Sequence, residues 1–173
     1  EHTGWFPDHQ LRLFRKGKGK FLEKHVHELL SVDGETKYLN NHLLHLNYGS
    51  VSQFLNKLSF YTENEAENFL ASSRKIVWQD AIRMPAEDFL RRFFVQKGYK
   101  DGLHGLVLSM LMAFYHLVIF CRVWEKQGFK EEELGLKEIN KEFKKSGKEI
   151  NYWLWESKIR ESKGIFRLML RAL

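Results

Sequence analysis

The chain has 173 residues, of which 43% are hydrophobic and 14% aromatic, and its formal net charge is +6. This length fits one ordinary domain or one piece of a larger one, and the apolar content argues against global disorder. The single cysteine, Cys121, excludes an internal disulfide and suits a reducing compartment.

The positive charge favours contact with phosphate, in nucleic acid, nucleotide-sugars or lipid headgroups, although a solvated basic surface is its commonest explanation. The basic residues are interleaved with acids rather than collected in one stripe, and the aromatic residues mostly follow helical core spacing. A nucleic-acid-binding protein has the opposite pattern. We therefore expect no nucleic-acid partner.

The first fifty residues have the texture of strands and turns, with KGKG (16–19) as a turn signal. A few short strands would expose a sheet edge, so we expect them to add to a sheet formed by residues before Glu1. The predicted strands are QLRLF (10–14), KFLEKHVHEL (20–29), the two sides of a DG turn at Gly34, and a buried strand in HLLHLNYGS (42–50).

From Ser52 onward the apolar spacing becomes helical. Pro85, followed by the acids Glu87 and Asp88, is typical of a helix start, and Gly98 is typical of the residue just beyond a helix end. The predicted helices are 52–75 with a break around Thr62, 85–97, 103–126, a solvated helix in 131–147, and a closing helix in 151–173.

Residues 103–121 form an uncharged run of 19 residues, which barely meets the length of about 18–20 that a membrane-spanning helix needs. Basic residues flank both ends, so no charge asymmetry orients the run across a bilayer. The run is compatible with a core helix, with an interfacial helix and, least of the three, with a membrane-spanning helix. Residues 153–173 mix aromatic and basic side chains, which suits a helix on anionic lipid and, equally, an amphipathic helix packed on its own domain.

Two stretches have residue types suited to chemistry. Five basic residues follow Gln10 closely, beside a glycine-rich turn; they are Arg12, Arg15, Lys16, Lys18 and Lys20. This combination suits a phosphate-binding site and, equally, a basic hairpin that faces water. In HVHE (25–28), alternation separates His27 from Glu28. A glutamate there suits a general base, or else an ion pair with a nearby lysine.

Six stretches occur in order between residues 5 and 125: WFPDHQLRLFRKGKGKF, VHE, LLHLNYGS, FLNKLSFYTENEA, AEDFLRRFF and GYKDGLHGL. Together they resemble the C-terminal half of bacterial family 2 glycosyltransferases, especially lipopolysaccharide core β-glucosyltransferase-like enzymes. The resemblance implies an α+β fragment of an α/β GT-A fold, with a few short strands followed by four or five helices. It divides the chain into a strand-rich catalytic and acceptor part, 1–50, and a helical region, 51–173, with membrane association as an expectation.

In that family the N-terminal half binds the nucleotide and carries a DxD-type metal motif, which this sequence lacks. The resemblance therefore implies the acceptor-side half of an enzyme, cut short at its N-terminus. For the complete enzyme it implies Mg or Mn, a nucleotide-sugar donor that is UDP-linked, and a glycan or lipid-linked acceptor in envelope polysaccharide synthesis. The implied location is peripheral, at the cytoplasmic face of the bacterial inner membrane.

The resemblance also suggests residue roles for an inverting transfer, in which a carboxylate deprotonates the acceptor hydroxyl. Glu28 becomes the candidate base, with His27 orienting it or contacting the sugar. The remaining candidates would contact the acceptor, the diphosphate or its metal, or line the same groove; they are Gln10, Arg12, Arg15, His45 (also the candidate metal ligand), Tyr48, Lys57 and Tyr61. Lys57 and Tyr61 are equally compatible with packing and surface roles.

A second interpretation assigns no catalysis to the chain. The uncharged helix and the basic, aromatic tail also fit a membrane-surface helical module or a partner subunit. This alternative gives VHE no role, so the effect of Glu28→Gln on activity separates the two.

Overall fold

The computed structural model describes residues 2–22, 29–72 and 74–162 and has an α+β architecture. Strands β1 (Gly19–Leu22) and β2 (Leu29–Val32) pair antiparallel, with Gly19 opposite Val32. The helices that follow are α1 (Val51–Ala71), α2 (Asp80–Leu90) with a π-helical turn (Arg91–Val95), a 3₁₀ turn (Gly98–Asp101), α3 (Gly102–Lys126) and α4 (Leu136–Glu161). The predicted order of strands before helices is confirmed.

Three predicted strand positions are wrong. Residues 8–15 and 42–48 have no regular secondary structure. The described residues after Gly34 contain no strand, and β2 ends at Val32, before the turn. Among the described residues only β1 and β2 pair, so nothing there accepts the backbone hydrogen bonds of a further strand.

The segment at 42–48 is also exposed, where the sequence predicted a buried strand. Leu43, Leu44 and Leu46 are 80%, 89% and 85% exposed. The turn predicted at KGKG is confirmed: the Lys18 amide donates to the Arg15 carbonyl at 3.0 Å, and Gly17 has a positive φ of 81°.

Helix α1 is unbroken, so the break predicted around Thr62 is wrong. The Thr62 hydroxyl donates to the Leu58 carbonyl at 2.8 Å, one turn earlier, and accepts from the Arg122 Nε at 2.9 Å. Its hydrogen bonds are thus made without disturbing the helix. Arg122 also reaches the Ser59 carbonyl at 3.2 Å, which ties α1 to α3.

Pro85 lies inside α2 rather than at its start. The helix begins at Asp80, whose carboxylate accepts from the Val77 amide at 3.0 Å and holds the preceding turn. A proline inside a helix removes one hydrogen bond and crowds the carbonyl four residues earlier, yet the five residues before Pro85 are helical as well. The end predicted before Gly98 is confirmed, since the π-helical turn stops at Val95.

Helix α3 is the centre of the helical region and packs against both α1 and α2. Its buried side supplies Met112, Ile119 and Val123 to two apolar clusters; the α1 side chains in them are Phe54, Leu58 and Ala66. By length and composition the helix from Gly98 to Lys126 is apolar enough to cross a membrane, a test that core helices of soluble proteins also pass. One side of α3 is therefore core, and its opposite side is not covered by the described residues.

Helix α4 runs without a break through Gly147, so the two helices predicted for this region are one. Arg83 of α2 donates to both carboxylate oxygens of Glu142, at 2.9 and 2.6 Å. That hydrogen bonding lowers the pKa of Glu142. The planar two-point contact fixes the position of α4 on α2.

Two glycines provide a matched stability test. A β-carbon at Gly105 would lie 1.9 Å from the carbonyl oxygen of Gly98, whereas one at Gly147 would meet nothing within 4 Å. We expect Gly105→Ala to lower the free energy of unfolding by about 1–3 kcal/mol, because the backbone must move. Gly147→Ala should raise it by up to about 1 kcal/mol, since alanine favours helix. Urea unfolding of both variants measures this; equal effects would contradict the close packing at Gly105.

Candidate functional site

The candidate site lies where residues 47–48 meet the first turns of α1. The Lys57 ammonium is 3.2 Å from the Asn47 carbonyl oxygen and 4.8 Å from the centre of the Tyr48 ring. Trp5 and Phe54 pack edge-on against the same ring, at centroid distances of 6.0 and 5.3 Å. A cation is thus held over an aromatic face at a half-buried position.

A helix cap places Tyr48 at this site. The Ser50 hydroxyl accepts from the Gln53 amide at 3.2 Å, and the Gln53 side chain accepts from the Gly49 amide at 2.7 Å. This arrangement resembles a capping box, except that the Gln53 side chain bonds to the amide of Gly49, one residue before the cap residue Ser50. The two bonds tie residues 49–50 to the first turn of α1. Lys57 follows Gln53 by four residues and so projects from the same side of α1, above the entering chain.

Burial, and then the nearby charge of Tyr61, raise the pKa of the Tyr48 phenol. Burial and Glu65, whose carboxylate is 3.5 Å from the hydroxyl, raise the pKa of Tyr115 on α3. The Tyr48 phenol is protonated at neutral pH and is a hydrogen-bond donor, whereas the single hydrogen of the Tyr115 hydroxyl is directed to Glu65. With the Lys57 ammonium, Tyr48 suits a ligand rich in hydroxyl or phosphate oxygen atoms.

The structure brings together only some of the residues predicted for the site. Tyr48 and Lys57 are in contact, and Tyr61 is close enough for its charge to affect Tyr48. Tyr115 was missed because it lies in the uncharged apolar run, and Glu65 because it stands among other acids on a helix; helix packing alone brings α3 to α1. The one available sequence signal was the four-residue spacing of Tyr61 and Glu65 on α1.

The basic opening segment stands apart from that contact. Gln10, Arg12 and Arg15 are exposed in irregular chain, and the Gln10 amide donates to the Asp8 carboxylate at 2.9 Å. The catalytic candidates His27 and Glu28 lie outside the described residues.

His45 is exposed in irregular chain, so the prediction that it sits inside a buried strand is wrong. In the described ranges 2–22, 29–72 and 74–162, no group of three His, Cys, Asp or Glu residues lies close enough to hold a metal ion. The role of His45 as a metal ligand stays a prediction.

The opening residues are tied to the start of α3 by contacts that the sequence did not indicate. His2 donates its amide to the Asp101 carboxylate at 2.8 Å, and its ring Nδ1 lies 2.7 Å from the second oxygen. Arg92 donates to the Thr3 carbonyl at 2.8 Å. These contacts join residues 99 and 89 positions apart, and they hold Trp5 against Tyr48.

The substitution Lys57→Met tests how much the Lys57 contacts contribute to the stability of the fold. Methionine keeps most of the side-chain volume but loses the contacts with the Asn47 carbonyl and the Tyr48 ring. We expect the free energy of unfolding to fall by about 1 kcal/mol in urea titrations. Lys75→Met, at an exposed position, is the matched control and should have little effect. Equal stabilities of the two variants would mean that the Lys57 contacts contribute nothing.

Comparison with known proteins finds glycosyltransferases among the relatives of this chain. The chain is 26% identical over 122 residues to a lipopolysaccharide core biosynthesis glycosyltransferase, LpsC, of Rhizobium meliloti (strain 1021), covering 69% of this chain and 45% of that protein. It is 29% identical over 84 residues to an uncharacterized glycosyltransferase, RP128, of Rickettsia prowazekii (strain Madrid E), covering 47% of this chain and 28% of that protein. This sequence is glycosyltransferase-like.

The glycosyltransferase-like chain spans less than half the length of either relative. The predicted resemblance to part of a glycosyltransferase is confirmed at this level. No protein-family model matches the chain, and no solved structure matches it significantly. Donor, acceptor and stereochemistry therefore remain to be argued from the residues.

Proposed function

We propose that this chain is the acceptor-side part of an inverting family 2 glycosyltransferase with a GT-A fold. Its reaction moves a sugar from a nucleotide-sugar, UDP-linked, to a glycan or lipid-linked acceptor in lipopolysaccharide or other envelope polysaccharide synthesis. The observation that carries the proposal is the similarity to the lipopolysaccharide core glycosyltransferase over 69% of the chain. The half-buried donors around Tyr48 support it, because sugars and diphosphates are recognised through oxygen atoms.

In the proposed reaction Glu28 takes the proton of an acceptor hydroxyl, and His27 orients that carboxylate. The acceptor oxygen forms a bond to the anomeric carbon of the sugar, and the bond from that carbon to the diphosphate breaks. Lys57 and Tyr48 donate hydrogen bonds to oxygen atoms of the bound ligand. Arg12 and Arg15, which are exposed, offer further cations to the leaving group.

The expected divalent ion, Mg or Mn, would neutralise diphosphate charge when bound. The described residues contain no group of three His, Cys, Asp or Glu residues that could hold it, so we assign that role to a nucleotide-binding half and derive no step through it. In this proposal residues 1–50 carry the catalytic and acceptor contacts, and residues 51–173 form the helical region that supports them.

The first test is the coding DNA upstream of Glu1, in the same frame. An extension with alternating strands and helices and a DxD pair is expected. Label from UDP-sugars should then transfer to lipopolysaccharide core acceptors when the full-length protein is added. A stop codon directly upstream would contradict the catalytic proposal and support the alternative, a non-catalytic membrane module or partner subunit.

We further propose peripheral attachment to the cytoplasmic face of the bacterial inner membrane through α4. Its exposed apolar side chains are Leu136, Phe143, Ile150, Tyr152, Leu154 and Trp155, and its exposed lysines are Lys137, Lys141, Lys144, Lys145, Lys148 and Lys158. Aromatic side chains beside cations favour the boundary of an anionic bilayer.

Vesicle flotation tests this attachment. The chain should float with phosphatidylglycerol vesicles and less so in high salt, because the lysine attraction is screened. Phe143→Ala with Trp155→Ala should weaken binding at least about tenfold, since each loses about 1–2 kcal/mol of apolar burial. Phe60→Ala, an exposed aromatic on α1, is the control. Absence of flotation would contradict membrane attachment and leave the transferase proposal standing.

A further inference from the structure

Helix α3 carries an apolar stripe on the side opposite its core. The core positions Gly105, Ser109 and Met112 are buried. We call the stripe the outer seam; it consists of Leu103, Val107, Met110, Phe114, Leu117 and Cys121. Its members are exposed or half-buried, and Leu103 and Met110 are 76% and 59% exposed. The described residues therefore leave this face of α3 without a packing partner.

The spacing of the outer seam is typical of a helix that pairs with another helix. Its positions alternate steps of four and three residues from Leu103 to Cys121. This average step of about 3.5 residues is that of two helices packed along their length. On one flank Leu111 and Val118 already pack against the α1 cluster, so the exposed strip is narrow. A narrow strip of this period fits one partner helix better than a broad surface.

The two ends of the outer seam differ in charge. Lys97 and Lys100 are exposed in the turn before α3. At the other end Glu125 is exposed, and three further exposed acids follow at 131–133. The Trp124 Nε1 donates to the Lys130 carbonyl at 2.8 Å, so this acidic run begins beside the end of the seam. The first end is therefore basic and the second acidic, although the Lys130 side chain offsets one of the four acids.

The remaining cations at the acidic end are already paired within the chain. Arg122 and Lys126 both form ion pairs with Glu63 of α1. They hold α1 on α3 and do not cancel the charge of Glu125 or of residues 131–133. The acidic end thus keeps its charge for a partner.

A helix with ends of opposite charge is complementary to a second copy of itself that runs antiparallel. We propose that two copies of this chain associate in this way through the outer seam. A two-fold axis brings the same face of both chains into contact. The register that uses every seam position sets Leu103 against the partner's Cys121, Val107 against the partner's Leu117, and Met110 against the partner's Phe114. Lys100 then lies nearest to the partner's Glu125.

The end charges favour this partner over the alternatives. A parallel pair would place like charges together at both ends, which opposes association. An anionic bilayer would attract the two lysines but repel Glu125 and residues 131–133. Only the antiparallel pair satisfies both ends at once, and it does so with the apolar seam buried between the helices.

Cross-linking through the single cysteine of the chain tests both the contact and its direction. Leu103→Cys should form a disulfide with the partner's Cys121 under mild oxidation, seen as a band of twice the mass without reductant. The unsubstituted chain is the first control, because the antiparallel register separates the two Cys121 residues by about 27 Å along the helix axis. Phe60→Cys, at an exposed position on α1, is the second control. Neither control should cross-link.

Two outcomes of this experiment would overturn the proposal. Absence of a cross-link in Leu103→Cys would mean that the two positions do not meet. Cross-linking of the unsubstituted chain to the same extent would mean a parallel pair or random collision.

A charge placed in the seam is the second test. Met110→Asp should raise the dissociation constant of the pair at least about tenfold in analytical ultracentrifugation, since symmetry buries two carboxylates near the middle of the seam. Phe60→Asp is the matched control and should leave pairing unchanged. Circular dichroism should show that both variants stay helical, since both positions are exposed in the single chain.

A single-chain mass at every concentration, or equal effects of the two variants, would contradict pairing through the seam. If Met110→Asp instead abolishes vesicle flotation and leaves the mass unchanged, the seam contacts lipid and the proposal fails. The transferase proposal does not depend on either result.

Discussion

Glu28→Gln is expected to slow glycosyl transfer by about 100- to 10,000-fold in the full-length enzyme, because glutamine keeps the shape of the side chain but cannot accept a proton. The acceptor hydroxyl would then attack without a base. Since the substitution preserves size and polarity, the KM for the nucleotide-sugar should change little. Initial rates with saturating acceptor measure the effect.

The control for this experiment is Glu35→Gln, an exposed acid shortly after β2. It removes the same charge from the same part of the chain and should leave the rate almost unchanged. A Glu28→Gln enzyme with the native rate would remove Glu28 as the base. An equal loss in both variants would point to the summed charge of the segment rather than to proton transfer.

Asp88→Ala is expected to destabilise the fold by about 3–5 kcal/mol, because it leaves a cation without its buried partner. The Asp88 side chain is only 4% exposed and accepts from the Arg92 Nε at 2.8 Å. His116 of α3 lies 3.4 Å from the same carboxylate, so the contact joins α2 to α3. Arg92 also holds the opening residues through Thr3, and these should loosen too.

Urea unfolding monitored by tryptophan fluorescence measures this loss. Glu87→Ala is the matched control, since Glu87 precedes Asp88 in the same helix but is exposed; its effect should be within about 0.5 kcal/mol. If the two variants unfold at the same urea concentration, the buried carboxylate does not hold α2 on α3.

The Asp88 carboxylate also makes the free energy of unfolding depend on pH. Burial alone would raise the pKa of Asp88, but the hydrogen bond with His116 and the charge of Arg92 outweigh it and hold the pKa well below its usual range. In the unfolded chain an aspartate titrates near 3.8. The contribution of Asp88 to stability is therefore fully present above that pH and is lost as the pH falls toward the lower folded value. Asp88→Asn should flatten the fall in unfolding free energy below about pH 4.

Several parts of the molecule were determined by the sequence alone, because the signal for each is local. The apolar spacing of α1 and α3 marks a helix whatever it packs against. The glycine-rich turn at KGKG depends on neighbouring residues only. The order of short motifs from Trp5 onward carried the glycosyltransferase resemblance without any structure, and the comparisons confirmed it at that level.

The strands and the site depended on tertiary structure. Alternation in QLRLF and LLHL describes a strand only if another strand pairs with it, and in the described residues none does. Proline is preferred in the first turn of a helix, so the sequence predicted a helix start at Pro85. The helix instead begins five residues earlier, at Asp80, whose carboxylate accepts from the Val77 amide.

The contact of Lys57 with Tyr48 joins residues close in sequence, but its half-buried environment needs Trp5, which distant hydrogen bonds hold in place. Nothing in the sequence marks Asp88, Arg92 and His116 as partners, and they form a network around the buried Asp88 carboxylate only when α2 packs on α3. Local backbone preferences act within a few residues and are therefore visible in sequence. Burial and long-range pairing arise only from packing, and they decide which polar residues are structural and which remain open to a ligand.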